Sequence, residues 1–152
     1  MLYRLLRKSE DWQDGLKAKN PNSSLSVFQH VTKGSSSGCQ SRYISTCGSL
    51  NSVKRLKSKS KTRDAHIVQI SEDNLPVVKI DLRTSSNRKN HYNIGSDSNA
   101  LINDFNNFAR VYEEVLLVGY VPKTHVQRMD ASDLHCDDLP SWCIEEESLL
   151  YQ

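Results

Sequence analysis

The chain is short of the residues that build a large core. Only 37% of its 152 residues are hydrophobic and 7% aromatic, against about 45–50% apolar in ordinary soluble domains. The longest uninterrupted aliphatic run is Val115-Leu116-Leu117-Val118. That is far below the ~18 residues of a spanning helix, so no membrane partner is expected. Met1 to Arg7 lead into no apolar segment of signal-peptide type, and a cytoplasmic chain or one delivered into a target cell is expected. The four cysteines (Cys39, Cys47, Cys136 and Cys143) form no Cys-x-x-Cys pair. That argues against a disulfide scaffold and a structural zinc site, and no metal-ligating set is expected. Cys136 and Cys143 could close a small loop, with reduced thiols as the default without an export signal.

Excess charge is also lacking, with a net value of +2, but the total hides a split. Residues 130–152 carry seven acidic residues and no Lys or Arg, which leaves residues 1–129 at +9. The reading is one basic body, residues 1–129, followed by an acidic C-terminal tail, residues 130–152. The tail also holds apolar anchors (Leu139, Trp142, Ile144, Leu149, Leu150) for docking back or for a partner.

Along the body, residues 1–6, 41–47, 66–70, 77–82 and 115–121 read as strands by their β-branched and apolar content. A further short strand is expected over 125–129. Residues 25–31 fit either a short strand or the first turn of a helix. Helices are expected over 49–56 and over 99–109, the second capped by Asp97 or Ser98 and carrying Leu101, Ile102, Phe105 and Phe108 on one face. Residues 83–99 read as a polar loop. Mixed elements without a βαβ rhythm predict an α+β fold.

Three separated pieces suggest chemistry when taken together. They are Tyr3-Arg4 on the first strand, Ser45-Thr46-Cys47 at a strand end, and Glu113-Glu114 before the most apolar strand. A guanidinium suits a phosphate or ribose oxygen. A hydroxyl can orient a carboxylate, and a carboxylate can stabilise a developing oxocarbenium ion. Each piece also has a structural reading, as an edge charge, a ladder pair and a solvated loop.

Their order and context resemble the mono-ADP-ribosyltransferases of the cholera-toxin class, over roughly residues 2–128. Leu2-Tyr3-Arg4 is similar to that family's opening strand, and Asp11 to Gly15-Leu16 to its acidic stretch and turn. Gln29-His30-Val31-Thr32-Lys33-Gly34 is similar to its Asp-His-Ala-Arg-Gly segment. Arg42-Tyr43-Ile44-Ser45-Thr46-Cys47 resembles its Tyr-Val-Ser-Thr-Ser strand. Glu114-Val115-Leu116-Leu117-Val118-Gly119-Tyr120-Val121-Pro122 resembles its Glu-Val…Gly-Gly-Ile-Pro strand.

The resemblance implies a split β-sandwich of two small sheets with short flanking helices, acting as a monomer on NAD. Arg4 would hold the NAD, with Tyr3, His30, Ser45 and Thr46 as further cofactor contacts. His30 would lie near the adenosine end, or be structural. Ser45 would bond the catalytic carboxylate Glu114, and Thr46 would support the strand. ADP-ribose would pass to a macromolecular acceptor, protein or nucleic acid, with NAD glycohydrolase activity when only water is present.

Two departures are visible. Cys47 stands for the third residue of Ser-Thr-Ser, and Tyr112 stands where arginine-modifying members carry the first carboxylate of Glu-x-Glu. Arginine is therefore disfavoured as the acceptor. Tyr112 and Glu113 are the candidate target-recognition residues, and Phe105 and Phe108 belong either to that loop or to the core. The basic run over 54–63 suggests an acidic target or a solvated face. The same departures also fit a catalytically inactive member of the fold that binds protein or nucleic acid. A third reading is a basic nucleic-acid-binding domain whose acidic tail is autoinhibitory.

Overall fold

A computed structural model of the chain describes residues 1–34, 36, 38–61, 65–92 and 98–134. The Cys136/Cys143 loop, the apolar anchors of the tail and the acidic residues beyond Asp133 lie outside them.

Sequence chemistry sets the element ends. Helix α1 (Val27–Lys33) begins at a reciprocal capping box between Ser26 and Gln29. Ser49 caps α2 (Leu50–Lys59), Thr84 caps α3 (Ser85–Lys89) and Ser98 caps α4 (Asn99–Val111). A last short helix, α5, covers Ala131–Leu134. The strands are β1 (Leu2–Leu5), β2 (Leu16–Lys17), β3 (Tyr43–Cys47), β4 (Ile67–Ile70), β5 (Lys79–Asp81), β6 (Glu114–Val118), β7 (Tyr120–Val121) and β8 (Val126–Arg128).

The α+β class is observed. The strands form a six-stranded antiparallel sheet in the order β5-β6-β3-β1-β4-β8, with a separate β2-β7 ribbon. Two sheets are present, one of six strands and one of two. The expected strand over 115–121 is two strands, because Gly119 at φ +90° turns the chain out of the sheet and into the ribbon. Of residues 25–31, those from Val27 onward are helix, with Ser26 as the extended cap. The expected polar loop over 83–99 contains α3, which buries Arg88. The Arg88 guanidinium donates to the Leu82 and Arg83 carbonyls at 2.9 and 2.8 Å and to Asn106 Oδ1 at 3.0 Å.

The large sheet is continuous only at its middle. β3 zips to β6 through five register pairs and β1 to β4 through four, but β1 meets β3 at the single pair Tyr3↔Cys47. Beyond it the two halves part as a fork. One face packs the β2-β7 ribbon around Leu2, Ile44, Val68, Leu117 and Val121. The other carries α1 and α4 over Tyr43, Leu82 and Leu116, and α2 over Cys47 and Ile67. Because side chains alternate along strands, Ser45 and Glu114 fall on this helical face, between its two clusters.

Phe105 is fully buried, stacked on Phe28 at 5.0 Å and edge-on to Tyr92, whereas Phe108 is exposed beside Tyr112. The two readings offered for this pair therefore divide: Phe105 is core and Phe108 is surface. Phe105→Ala is expected to cost about 3–5 kcal/mol and Phe108→Ala less than about 1 kcal/mol, read as the shift in urea midpoint at constant slope.

Candidate functional site

Where the sheet forks, a cleft opens that is lined by Arg4, Leu5, Arg7, His30, Ser41 and Ser45, with Lys17 and Lys19 at its wall. Arg4 reaches it through the gap between β1 and β3. Its Nη1 donates to the Ser45 carbonyl at 2.6 Å, and its Nη2 donates to Glu10 at 2.8 and 3.1 Å. Arg7 adds its backbone N–H at 2.7 Å and its Nη2 at 2.8 Å to the same Glu10 carboxylate. Burial would raise the Glu10 carboxyl, but the Arg4 charge and the arginine hydrogen bonds outweigh it and hold the group below its usual range.

His30 projects from α1 between two serines. Its Nε2 lies 2.8 Å from Ser45 Oγ and its Nδ1 lies 2.6 Å from Ser41 Oγ. Burial first, then the Arg4 and Lys19 charges, push its pKa down to about 4, so the ring is neutral at ordinary pH. One ring nitrogen then donates and the other accepts, and Ser45 and Ser41 take the complementary roles. His30 is thus tied to the serine strand itself, through Ser41 and Ser45.

Glu114 opens β6 directly opposite Cys47 and is 2% exposed. It does not line the cleft. It shares the helical face of the sheet with Ser45, and its Oε1 has no hydrogen-bond partner among the described residues. Burial raises its pKa to about 7, against the pull of the Ser45 hydroxyl and the Arg4 charge. Cys47 is driven up to about 12, by burial first and then by the charges of Glu114 and Glu113, and stays a neutral thiol. Thr46 faces the other way, its hydroxyl donating to the Val115 carbonyl at 2.6 Å across the ladder.

The other expected contacts lie away from the cleft. Tyr3 packs beside Cys47 and Ile67 under α2. Tyr112 caps the end of α4, with its ring 4.7 Å from Phe108. Glu113 takes a left-handed turn at φ +49°, which costs a non-glycine residue roughly 1–2 kcal/mol. Its carboxylate accepts the Ser49 and Ser52 hydroxyls at the start of α2. Burial opposes its ionisation, but these two hydroxyls and the Arg83 and Arg55 charges prevail and lower its pKa. The basic run falls on α2 as far as Lys59, and residues 62–63 lie outside the described residues.

Glu10, Arg7 and Ser41 complete the site without a sequence signal strong enough to single them out. The Arg7-x-x-Glu10 spacing hints at a local ion pair, but nothing local ties either residue to Arg4.

The buried groups set a pH dependence of stability. Glu114 has a folded pKa above its unfolded one. Its contribution is fully present below about pH 4.5 and is lost as pH rises through about 7. His30 has the opposite sense: its contribution is present above about 6.5 and is lost as pH falls through about 4. Wild type is therefore expected to lose on the order of 3 kcal/mol relative to Glu114→Gln between pH 4.5 and 8, measured by urea unfolding across pH. A pH-independent difference would contradict the buried carboxyl. Comparison with family models, curated proteins and solved structures finds no match to this chain.

Proposed function

We propose that the chain is an NAD-dependent mono-ADP-ribosyltransferase of ADP-ribosyltransferase-like fold, in which the forked sheet is the split sandwich and the fork is the NAD cleft. The observation that carries this reading is the convergence of Arg4, His30 and Ser45 on one cleft, with the Glu114 carboxyl buried on the neighbouring strand, opposite Cys47. A permanent cation, a neutral hydroxyl–imidazole chain and a half-ionised carboxyl in a low-dielectric seam suit the cleavage of a positively charged glycosidic bond.

In this mechanism Arg4 takes an oxygen of the NAD diphosphate or ribose. The nicotinamide–ribose bond breaks heterolytically, its electron pair leaving with nicotinamide, which departs neutral. The positive charge left on the ribose is stabilised by ionised Glu114, and little water competes in the seam. A nucleophile on the acceptor, or water, then bonds to the anomeric carbon and releases its proton. Ser45 orients the carboxylate, and His30 orients Ser45. Arginine is disfavoured as the acceptor, because the residue two before Glu114 is Tyr112 and the Glu113 carboxylate is already engaged by Ser49 and Ser52.

The seal over Glu114, 2% exposed with no place on the cleft wall, favours the second reading, a catalytically silent binding module. Turnover separates the two. With purified protein and NAD, Glu114→Gln is expected to lower release of nicotinamide by on the order of 10²-fold. The wild-type rate is expected to rise with pH through about 7 as Glu114 ionises. If wild type releases no nicotinamide and labels no lysate component, and Glu114→Gln behaves identically, the enzyme reading fails.

A further inference from the structure

The arginines of the cleft hold an anion already, and that anion belongs to the chain. The Glu10 carboxylate collects four hydrogen bonds on two oxygens: two from Arg4 Nη2, one from the Arg7 amide and one from Arg7 Nη2. Both partners of the inner pair are about nine-tenths buried. Even so, the donors exceed what a carboxylate can take. Arg4 Nε and Arg7 Nε are buried with no hydrogen-bond partner. Two unfilled donors beside a filled pair leave the arginines with hydrogen-bonding capacity for an acceptor that has more oxygens than a carboxylate.

Glu10 also stands beside room to leave. A second cavity of about 270 Å³ is lined by Glu10, Ser9 and Asp14, and it shares Arg7, Lys17 and Lys19 with the first. A side chain turned into that space leaves Arg4, stays beside Arg7, Lys17 and Lys19, and meets the carboxylates of Asp11 and Asp14.

We propose that Glu10 is a built-in competitor for the site, and that the ligand's diphosphate binds by displacing it from Arg4 and Arg7. The ligand class is a diphosphate or its ester, and in the resting protein its arginines are self-occupied. The inference deepens the NAD reading and rests on it for the identity of the natural ligand, though not for the exchange itself. Removing the Glu10 charge removes the competitor, so the anion binds more tightly while the protein loses a buried ion pair. An ion pair with only a structural role predicts the reverse, since a loosened arginine cluster binds anions no better and often worse.

The test titrates inorganic pyrophosphate and, separately, ADP-ribose into wild type and Glu10→Gln by calorimetry. In parallel, the Glu10 side-chain carboxyl carbon of the wild type is followed by NMR during the pyrophosphate titration. Expected are at least tenfold tighter binding of both probes to Glu10→Gln, and a shift of the wild-type Glu10 signal as pyrophosphate saturates. Equal or weaker binding to the variant, or a Glu10 signal unmoved at saturation, overturns the exchange. If the variant does not fold, the wild-type signal decides alone. Tighter pyrophosphate binding without any NAD cleavage supports the exchange and removes the dinucleotide reading; unchanged binding with NAD cleavage intact removes the exchange only.

Discussion

One hydrogen bond organises the centre of this molecule. Arg4 donates to the Ser45 carbonyl at 2.6 Å, at the point where β1 and β3 cease to pair after Tyr3↔Cys47. A backbone carbonyl on an inner strand needs a donor, and a charged donor is worth roughly 1.5–3 kcal/mol. With a guanidinium in that role the neighbouring strand is free to diverge. The pleat alone would put Arg4 and Glu114 on opposite faces of the sheet. The fork brings the Arg4 charge into the gap, close enough to act on Glu114, His30 and Cys47 together.

The electrostatics follow from that geometry. Ser45 and Glu114 occupy a seam between two apolar clusters on the helical face, so burial dominates both the Glu114 and the His30 titrations. Burial pushes the acid up and the base down, which leaves both groups neutral in mildly acid solution. Around neutrality only the carboxyl changes charge. The same seam that stabilises the neutral pair gives an ionised Glu114 a strong effect on any cation that reaches it. Closure of the seam and the hold of Glu10 on the arginines are consistent features of one resting state, in which Arg4, Glu10, His30 and Ser45 are each engaged by another part of the chain.

The parts of this arrangement legible in the sequence are those dictated locally. The β-branched runs around Ile44, Val68 and Leu116 announce their strands, and the serines at 49 and 98 announce their helices. The order of Tyr3-Arg4, Ser45-Thr46 and Glu113-Glu114 draws attention to the residues around the fork. What is not legible depends on partners distant in the chain. Helix α3 looks like loop because its sequence is polar, and its reason for forming is the burial of Arg88 against the Leu82 and Arg83 carbonyls and Asn106. Glu113, a candidate for target recognition by sequence, is bound to the two serines of α2. Glu10 reads as one more surface acid, because no local pattern shows that two arginines close on it. Tyr3 stands next to Arg4 in sequence, and strand alternation sends it to the other face, under α2.

In the proposed function, the fork between β1 and β3 is the site at which NAD is engaged. Chemical-shift mapping of the backbone amides on addition of NAD tests it directly. Binding at the fork predicts saturable shifts concentrated at Leu5, Arg7, His30, Ser41 and Ser45, with α3 and the exposed face of α4 unchanged. No saturable shifts, or shifts centred away from the fork, would contradict it.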